Sequence, residues 1–205
     1  MDGGLRLILY DRTCVNRAGL GLTRAWGSGS LLYRALGRVD GAHGTQSLEE
    51  GLRWLSTHRT DERIAEVQYW GHGKWGRIHV GRESLDRAAL ARGHRHHGAL
   101  AALRERLTPQ ALVWFRTCET FGATAGQDFA RAWTDFFGCS AAGHTFVIGY
   151  WQSGLHLLSP GGVPHWPVGE GLVQGSPHRP ERAASSLPNR PNTITCFTGR
   201  VPQGW

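Results

Sequence analysis

Apolar residues in this chain fall into short runs closed by glycine, proline or charge. Residues 5–10 (LRLILY) form a mostly apolar run that predicts a strand buried on both faces of a parallel sheet, with Asp11, Arg12 and Thr13 at its carboxyl end. Residues 31–36 predict a helix after a Gly/Ser turn at 27–30. Ser47 and Glu50 make an S-x-x-E capping signal ahead of Leu52, Trp54 and Leu55, predicting a helix that ends near His58. Residues 64–70 (IAEVQYW) predict a strand running into Gly71-His72-Gly73, and 77–80 a short strand after a turn. Residues 85–107 read as helical with a break at 93–98, closed by Pro109. Residues 111–115 (ALVWF) predict a second central strand running into Arg116-Thr117-Cys118. Phe129, Ala130, Trp133, Phe136 and Phe137 share one face of a helix predicted over 124–137. Further strands are expected to begin at 145–148 and at 155–158, and another at 193–198.

This alternation over 5–150 predicts an α/β fold, a doubly wound, mostly parallel sheet flanked by helices. Residues 161–192 are rich in Gly, Pro, Ser and Arg and read as loop. The expected division is an α/β domain over 1–160 and a loop-rich extension over 161–205 packed on the same domain. No internal repeat is visible.

With 205 residues, of which 40% are hydrophobic, the chain is long enough to bury a core without disulfides. No run reaches the ~18 apolar residues of a membrane span, and the N-terminal run reads as a strand rather than a secretory signal. The expectation is therefore a cytoplasmic protein with no membrane partner and with reduced thiols. The net charge is +7 and Lys74 is the only lysine. The arginines are scattered, without a basic stripe interleaved with aromatics, so no nucleic-acid partner is expected. Cys14, Cys118, Cys139 and Cys196 are widely and irregularly spaced, with no C-x-x-C pair, which removes a zinc-ribbon or thioredoxin-like reading. No cofactor is expected.

Two predicted strands end in reactive side chains, one at His72 and the other at Cys118. In open α/β sheets, sites form in the crevice beyond the carboxyl ends of the strands. If the two strands are neighbours, an imidazole and a thiol meet there. A thiol of ordinary pKa, ~8.5, is little ionised at neutral pH. An adjacent imidazole can take its proton, and the thiolate then attacks a carbonyl carbon. Glycines on both sides of His72 allow close backbone approach, and the Gly73 N–H is a candidate oxyanion donor. A helix beginning near Thr124 would add a dipole favouring the thiolate.

An apolar strand into His-Gly, then an apolar strand into Cys, resembles the caspase-like cysteine peptidases of clan CD: caspases, metacaspases, gingipains, clostripain, separase and the CHAT-type peptidases. Cys118 follows His72 by 46 positions, near the ~50 of caspases. The resemblance covers about residues 5–150. It implies a three-layer α/β/α fold, a protein or peptide substrate, His72 assisting Cys118, and Gly73 in the oxyanion hole. The chain departs from the family pattern around the nucleophile: Thr117 stands where a small residue is usual, and Glu119-Thr120 where caspases have Arg-Gly. Residues near Asp11 and Arg12 line the S1 pocket in several such peptidases. An acid there would favour a basic P1 and an arginine an acidic one, so with both present the preference stays open.

Other residues have plainer readings beside functional ones. Cys14 lies past the first strand and reads as a buried or idle thiol that could approach the crevice. Glu119 and Asp128 are carboxylates with a conceivable substrate role. Trp70, Trp75, Trp151 and Trp166 could wall a pocket or fill the core. His144 and His156 are alternative bases. His94, His96 and His97 read as a solvated loop, although His94 and His97 could share a metal. Three functions follow: a cysteine peptidase, a catalytically inactive module of the same fold that binds a regulatory partner protein, and a metal-dependent hydrolase built on the histidine-rich loop.

Overall fold

The computed structural model describes residues 3–15 and 21–205. Met1 and Asp2, part of the N-terminal stretch considered above, lie outside the described residues, as do residues 16–20. In chain order the elements are β1 (Leu5–Asp11), α1 (Leu22–Ala35), β2 (Gly41–Thr45), α2 (Leu48–Thr57), β3 (Ile64–Trp70), β4 (His72–Gly73), β5 (Arg77–Val80), β6 (Glu83–Asp86), α3 (His97–Arg106), β7 (Leu107–Arg116), α4 (Ala123–Phe137), β8 (Ser140–His144), β9 (Trp151–Gln152), β10 (Leu155–Leu158), β11 (Leu172–Ser176), β12 (Arg179–Ala183) and β13 (Ile194–Thr195).

Six strands form the central sheet in the order β10-β8-β7-β3-β1-β2. All neighbours are parallel except the edge strand β10, which runs antiparallel to β8. β1 pairs with β2 on one side and β3 on the other, so the winding reverses between β1 and β3, the place where open sheets leave a crevice. The inner strands β1, β3 and β7 are rich in apolar residues because both faces are covered. On one face α2, α3 and α4 pack through Leu52, Leu103, Phe129 and Trp133 onto Leu7, Val67 and Phe115. Phe115 meets Phe129 and Trp133 edge-on with centroids 5.2 and 4.9 Å apart. Such aromatic pairs add about 0.5–1.5 kcal/mol each beyond their burial. On the other face α1 lays Tyr33 against Ile8 and Trp70, and the C-terminal residue Ile194 packs with Trp114, Ala142 and Leu155.

Several local expectations need correction. α1 runs unbroken through Gly27–Ser30 rather than starting after a turn there. Mid-helix glycine costs about 0.5–1 kcal/mol, but Gly29 is where the helix meets Trp70: an added Cβ would lie 2.9 Å from that ring. The 85–107 segment is not one interrupted helix. Leu85 belongs to β6, a 3-10 turn spans Arg87–Leu90, and only His97–Arg106 is α-helical. Pro109 does not close a helix but lies inside β7, where the pairing with β3 shifts register between Ile64 and Glu66, an irregularity that accommodates a residue lacking an N–H. The strand expected from 145 is β8, which ends at His144. Residues 161–192 are not all loop: β11 and β12 form an antiparallel hairpin. The last expected strand is two residues long and pairs with β9, not with the central sheet.

Candidate functional site

Tyr10, Trp70 and Arg116 stand side by side at the carboxyl ends of β1, β3 and β7. The chain leaves each strand there, carrying Cys14, His72 and Cys118 respectively. His72 therefore has a thiol-bearing segment on either side.

The loop after β7 is tied to both neighbours. The Trp75 and Gly76 N–H groups of the β4–β5 turn donate to the Glu119 and Thr120 carbonyls at 3.0 and 2.8 Å. The Glu119 and Phe121 N–H groups donate to Phe146 and His144 carbonyls at 3.0 and 2.9 Å. Gly73 is required at this junction, since a Cβ would overlap the Thr117 and Thr120 side chains. Lys74 N–H donates to Arg77 O. By the alternation of an antiparallel ladder, Gly73 opposite Ile78 is then a non-hydrogen-bonded position, with its N–H directed away from β5.

His72 and Cys118 both line one cavity of about 610 Å³ between α1, the ends of β3 and β7, and the segments around Ile148 and Phe197. The Cys118 thiol donates to Ile148 O at 3.8 Å, and burial pushes its pKa up. His72, itself exposed, has its Nε2 3.2 Å from the Sγ of Cys14, and Trp26 packs edge-on to its ring at 5.5 Å. The thiol in hydrogen-bond contact with the imidazole is thus Cys14, a half-buried residue whose plainer reading is an idle thiol and whose other reading is an approach to the crevice.

The carboxylates and arginine expected near the substrate are not part of this cavity's wall. Asp11 is buried and accepts from Thr13 N–H and Oγ1, both at 2.7 Å, a turn that leads into Cys14. Arg12 is exposed, and its backbone N–H bonds Thr45 O at 2.8 Å. Glu119 has a left-handed backbone, φ 41°, and a buried carboxyl whose Oε2 has no partner. Burial raises its pKa, with Lys74 opposing the shift. None of the three lines the cavity, nor does Gly73. Asp128 makes surface ion pairs with Arg131 and Arg87. Among the four tryptophans, only Trp70 lines the cavity; Trp75 lies under the Lys74 ammonium, Trp151 is exposed, and Trp166 stacks on His156 and Phe121.

His144 and His156 are buried away from the cavity. His144 hydrogen-bonds Ser153 O at 3.1 Å, and desolvation brings its pKa down to about 3. His156 pairs with the Glu170 carboxylate, which also accepts from Thr145. In the 94–97 cluster, His94 Nδ1 accepts the His96 N–H, His97 Nδ1 lies 2.9 Å from Leu90 O, and His96 is buried with its pKa lowered by desolvation. Among the described residues no group of three or more His, Cys, Asp or Glu is arranged to hold a metal ion, and no helix is long and apolar enough to cross a membrane.

Two contributors escaped the sequence reading. Trp26 belongs to the part of α1 that its glycines concealed. Arg116 lines the cavity as a buried guanidinium, signalled only by a lone charge at the end of an apolar strand.

No curated protein matches the chain. The domain of unknown function DUF4347 matches residues 41–155, from β2 to the start of β10. That stretch contains His72, Gly73 and Cys118 and leaves out Cys14, α1 and the C-terminal wall of the cavity. Since it makes up more than half of the 205 residues, the chain belongs to the DUF4347 family.

Proposed function

We propose that this protein is a cysteine-dependent peptidase with a caspase-like three-layer fold, Cys118 acting as nucleophile and His72 as its base. The observation that carries this reading is that both residues stand past the carboxyl ends of adjacent parallel strands and line the same cavity. Four free thiols suit a reducing, cytoplasmic setting.

In this mechanism His72 takes the Cys118 proton and the thiolate adds to the peptide carbonyl. The tetrahedral oxyanion collapses, breaking the C–N bond as imidazolium protonates the departing amine. Water, deprotonated by the same imidazole, then hydrolyses the thioester. The Gly73 N–H, free of its hairpin ladder, is a candidate for an oxyanion donor, and one such donor contributes about 3 kcal/mol. The Cys118 thiol donates to Ile148 O, so transfer of its proton to His72 requires the sulfur to turn toward the imidazole.

One observation favours a second nucleophile: the 3.2 Å contact between His72 Nε2 and Cys14 Sγ. A peptidyl chloromethyl ketone followed by peptide mapping separates the readings. Adduct on Cys118, lost in Cys118→Ala with the melting temperature retained, is expected. Adduct on Cys14 would move the nucleophile there. A third reading, an inactive binding module, is favoured by the burial that raises the Cys118 pKa; it requires that no ketone label either thiol faster than iodoacetamide does.

A further inference from the structure

We propose that the cavity beside His72 and Cys118 takes a large uncharged apolar side chain of the substrate, aromatic or branched aliphatic, adjacent to the bond that is cleaved. This rests on the reading of Cys118 as nucleophile and names the substrate that reading leaves open.

The walls carry the argument. α1 contributes Leu22, Trp26, Gly29 and Tyr33, spaced to fall on one helix face. Tyr150 and Phe197 close the opposite side, and among the described residues no Asp or Glu lies in the wall. A cationic substrate side chain therefore finds no counter-charge, and burying it unpaired is costly.

An acidic side chain fares no better, although Arg116 is present. Every guanidinium N–H is already committed. Nε donates to Gln152 Oε1 at 3.1 Å. One terminal nitrogen donates to Tyr33 OH at 2.8 Å and Thr198 O at 3.1 Å. The other donates to Gln152 Oε1 at 2.8 Å and Cys196 O at 3.0 Å. The guanidinium also lies over the rings of Trp114 and Trp70, 4.4 and 5.4 Å from their centroids. Arg116 thus serves the protein and has no donor left for a substrate carboxylate.

The mouth gives an independent indication. Leu22, Leu32, Tyr150 and Phe197 are 49%, 41%, 55% and 52% exposed, and all four border this cavity. Large apolar side chains gathered on a surface around a concave opening mark a binding site. A volume of about 610 Å³ lies within the range of ligand pockets and leaves room for a neighbouring residue of the peptide.

The test uses four chloromethyl ketones that share Ala-Ala and end in Phe, Leu, Asp or Arg. The rate of Cys118 alkylation is followed by mass spectrometry. The Phe and Leu reagents should react at least about tenfold faster than the charged pair. Ala25→Trp, a substitution on the exposed cavity face of α1, should slow the Phe reagent by a similar factor and leave iodoacetamide unaffected. Equal or faster reaction of the Asp or Arg reagent overturns the proposal. If no ketone labels Cys118, the reading of Cys118 as nucleophile fails, and the cavity is judged separately. Acetyl-Ala-Ala-Phe amide is then titrated against the tryptophan fluorescence of Cys118→Ala, beside its Asp and Arg counterparts. Tighter binding of the Phe peptide upholds apolar recognition, and equal or weaker binding ends it.

Discussion

His144 is a histidine held neutral. It sits at the end of β8 under complete burial, with one ring nitrogen on Ser153 O and the other, Nε2, unpartnered. Desolvation is the main cause of its low pKa, about 3, with Arg116 and His156 adding to it and the Ser153 carbonyl opposing. In the unfolded chain the same ring titrates near its ordinary ~6.5. Above that pH both states are neutral and this residue adds no pH dependence to stability. As pH falls from about 6.5 toward 3, the unfolded chain binds a proton that the folded one refuses. Stability should therefore drop by up to about 1.4 kcal/mol per pH unit from this residue alone. His58 and His96, whose pKa values burial also lowers, act in the same direction. Urea unfolding at pH 7, 6 and 5 should show the decline, and His144→Gln should remove about one proton's worth of slope. An unchanged slope in the variant would mean that the ring is not buried neutral.

α2 is the element whose beginning is most firmly set by local chemistry. Ser47 Oγ accepts the Glu50 N–H at 3.1 Å, while the Glu50 carboxylate reaches back to the Gln46 N–H at 2.8 Å, the main cause of its lowered pKa. Replacing such a cap by alanine costs about 1 kcal/mol. Ser47→Ala should therefore lower the melting temperature by about 2–4 °C, measured by calorimetry; no change would show the cap to be unused. This start was legible in the sequence because a cap is a contact between residues three apart. β3 and β7 were legible for a similar reason, their apolar content being a local signal, and with them came His72 and Cys118. α1 was not. Gly27 and Gly29 look like a turn until Trp70 is known to press against the helix, and the Leu22–Trp26–Tyr33 face of the cavity disappears with it. β2, with the sequence GAHGT, carries almost no apolar signal and exists through its pairing with β1. The Cys14–His72 contact depends on β1 lying beside β3, a pairing between distant segments that no local pattern announces.

At the scale of the whole molecule, Arg116 joins the centre of the sheet to the end of the chain. It ends β7, yet its acceptors include the carbonyls of Cys196 and Thr198, and a further acceptor, the Gln152 side-chain oxygen, comes from β9, the partner of β13. Tyr33 of α1 completes the junction by donating its hydroxyl to the same two carbonyls at 2.9 Å. The guanidinium has no carboxylate in contact; its charge is balanced by oriented carbonyls, amide and hydroxyl, and desolvation lowers its pKa. Such a network is worth most when complete, because each acceptor left dry costs about 1–3 kcal/mol. Arg116→Met keeps length and apolar volume but strands those carbonyls. The least costly response is for residues 194–198 to detach from β9 and rehydrate. Since Cys196 and Phe197 are part of the cavity wall, that release would also open the pocket beside Cys118. Amide exchange over 194–198 should rise by two or more orders of magnitude for a loss of about 3 kcal/mol, while β3 and β7 stay protected. Trypsin should cut faster after Arg200 in the variant. If residues 194–198 exchange as in the wild type, the C-terminal wall is held by Ile194 packing and Tyr33 alone, and the arginine is not its anchor.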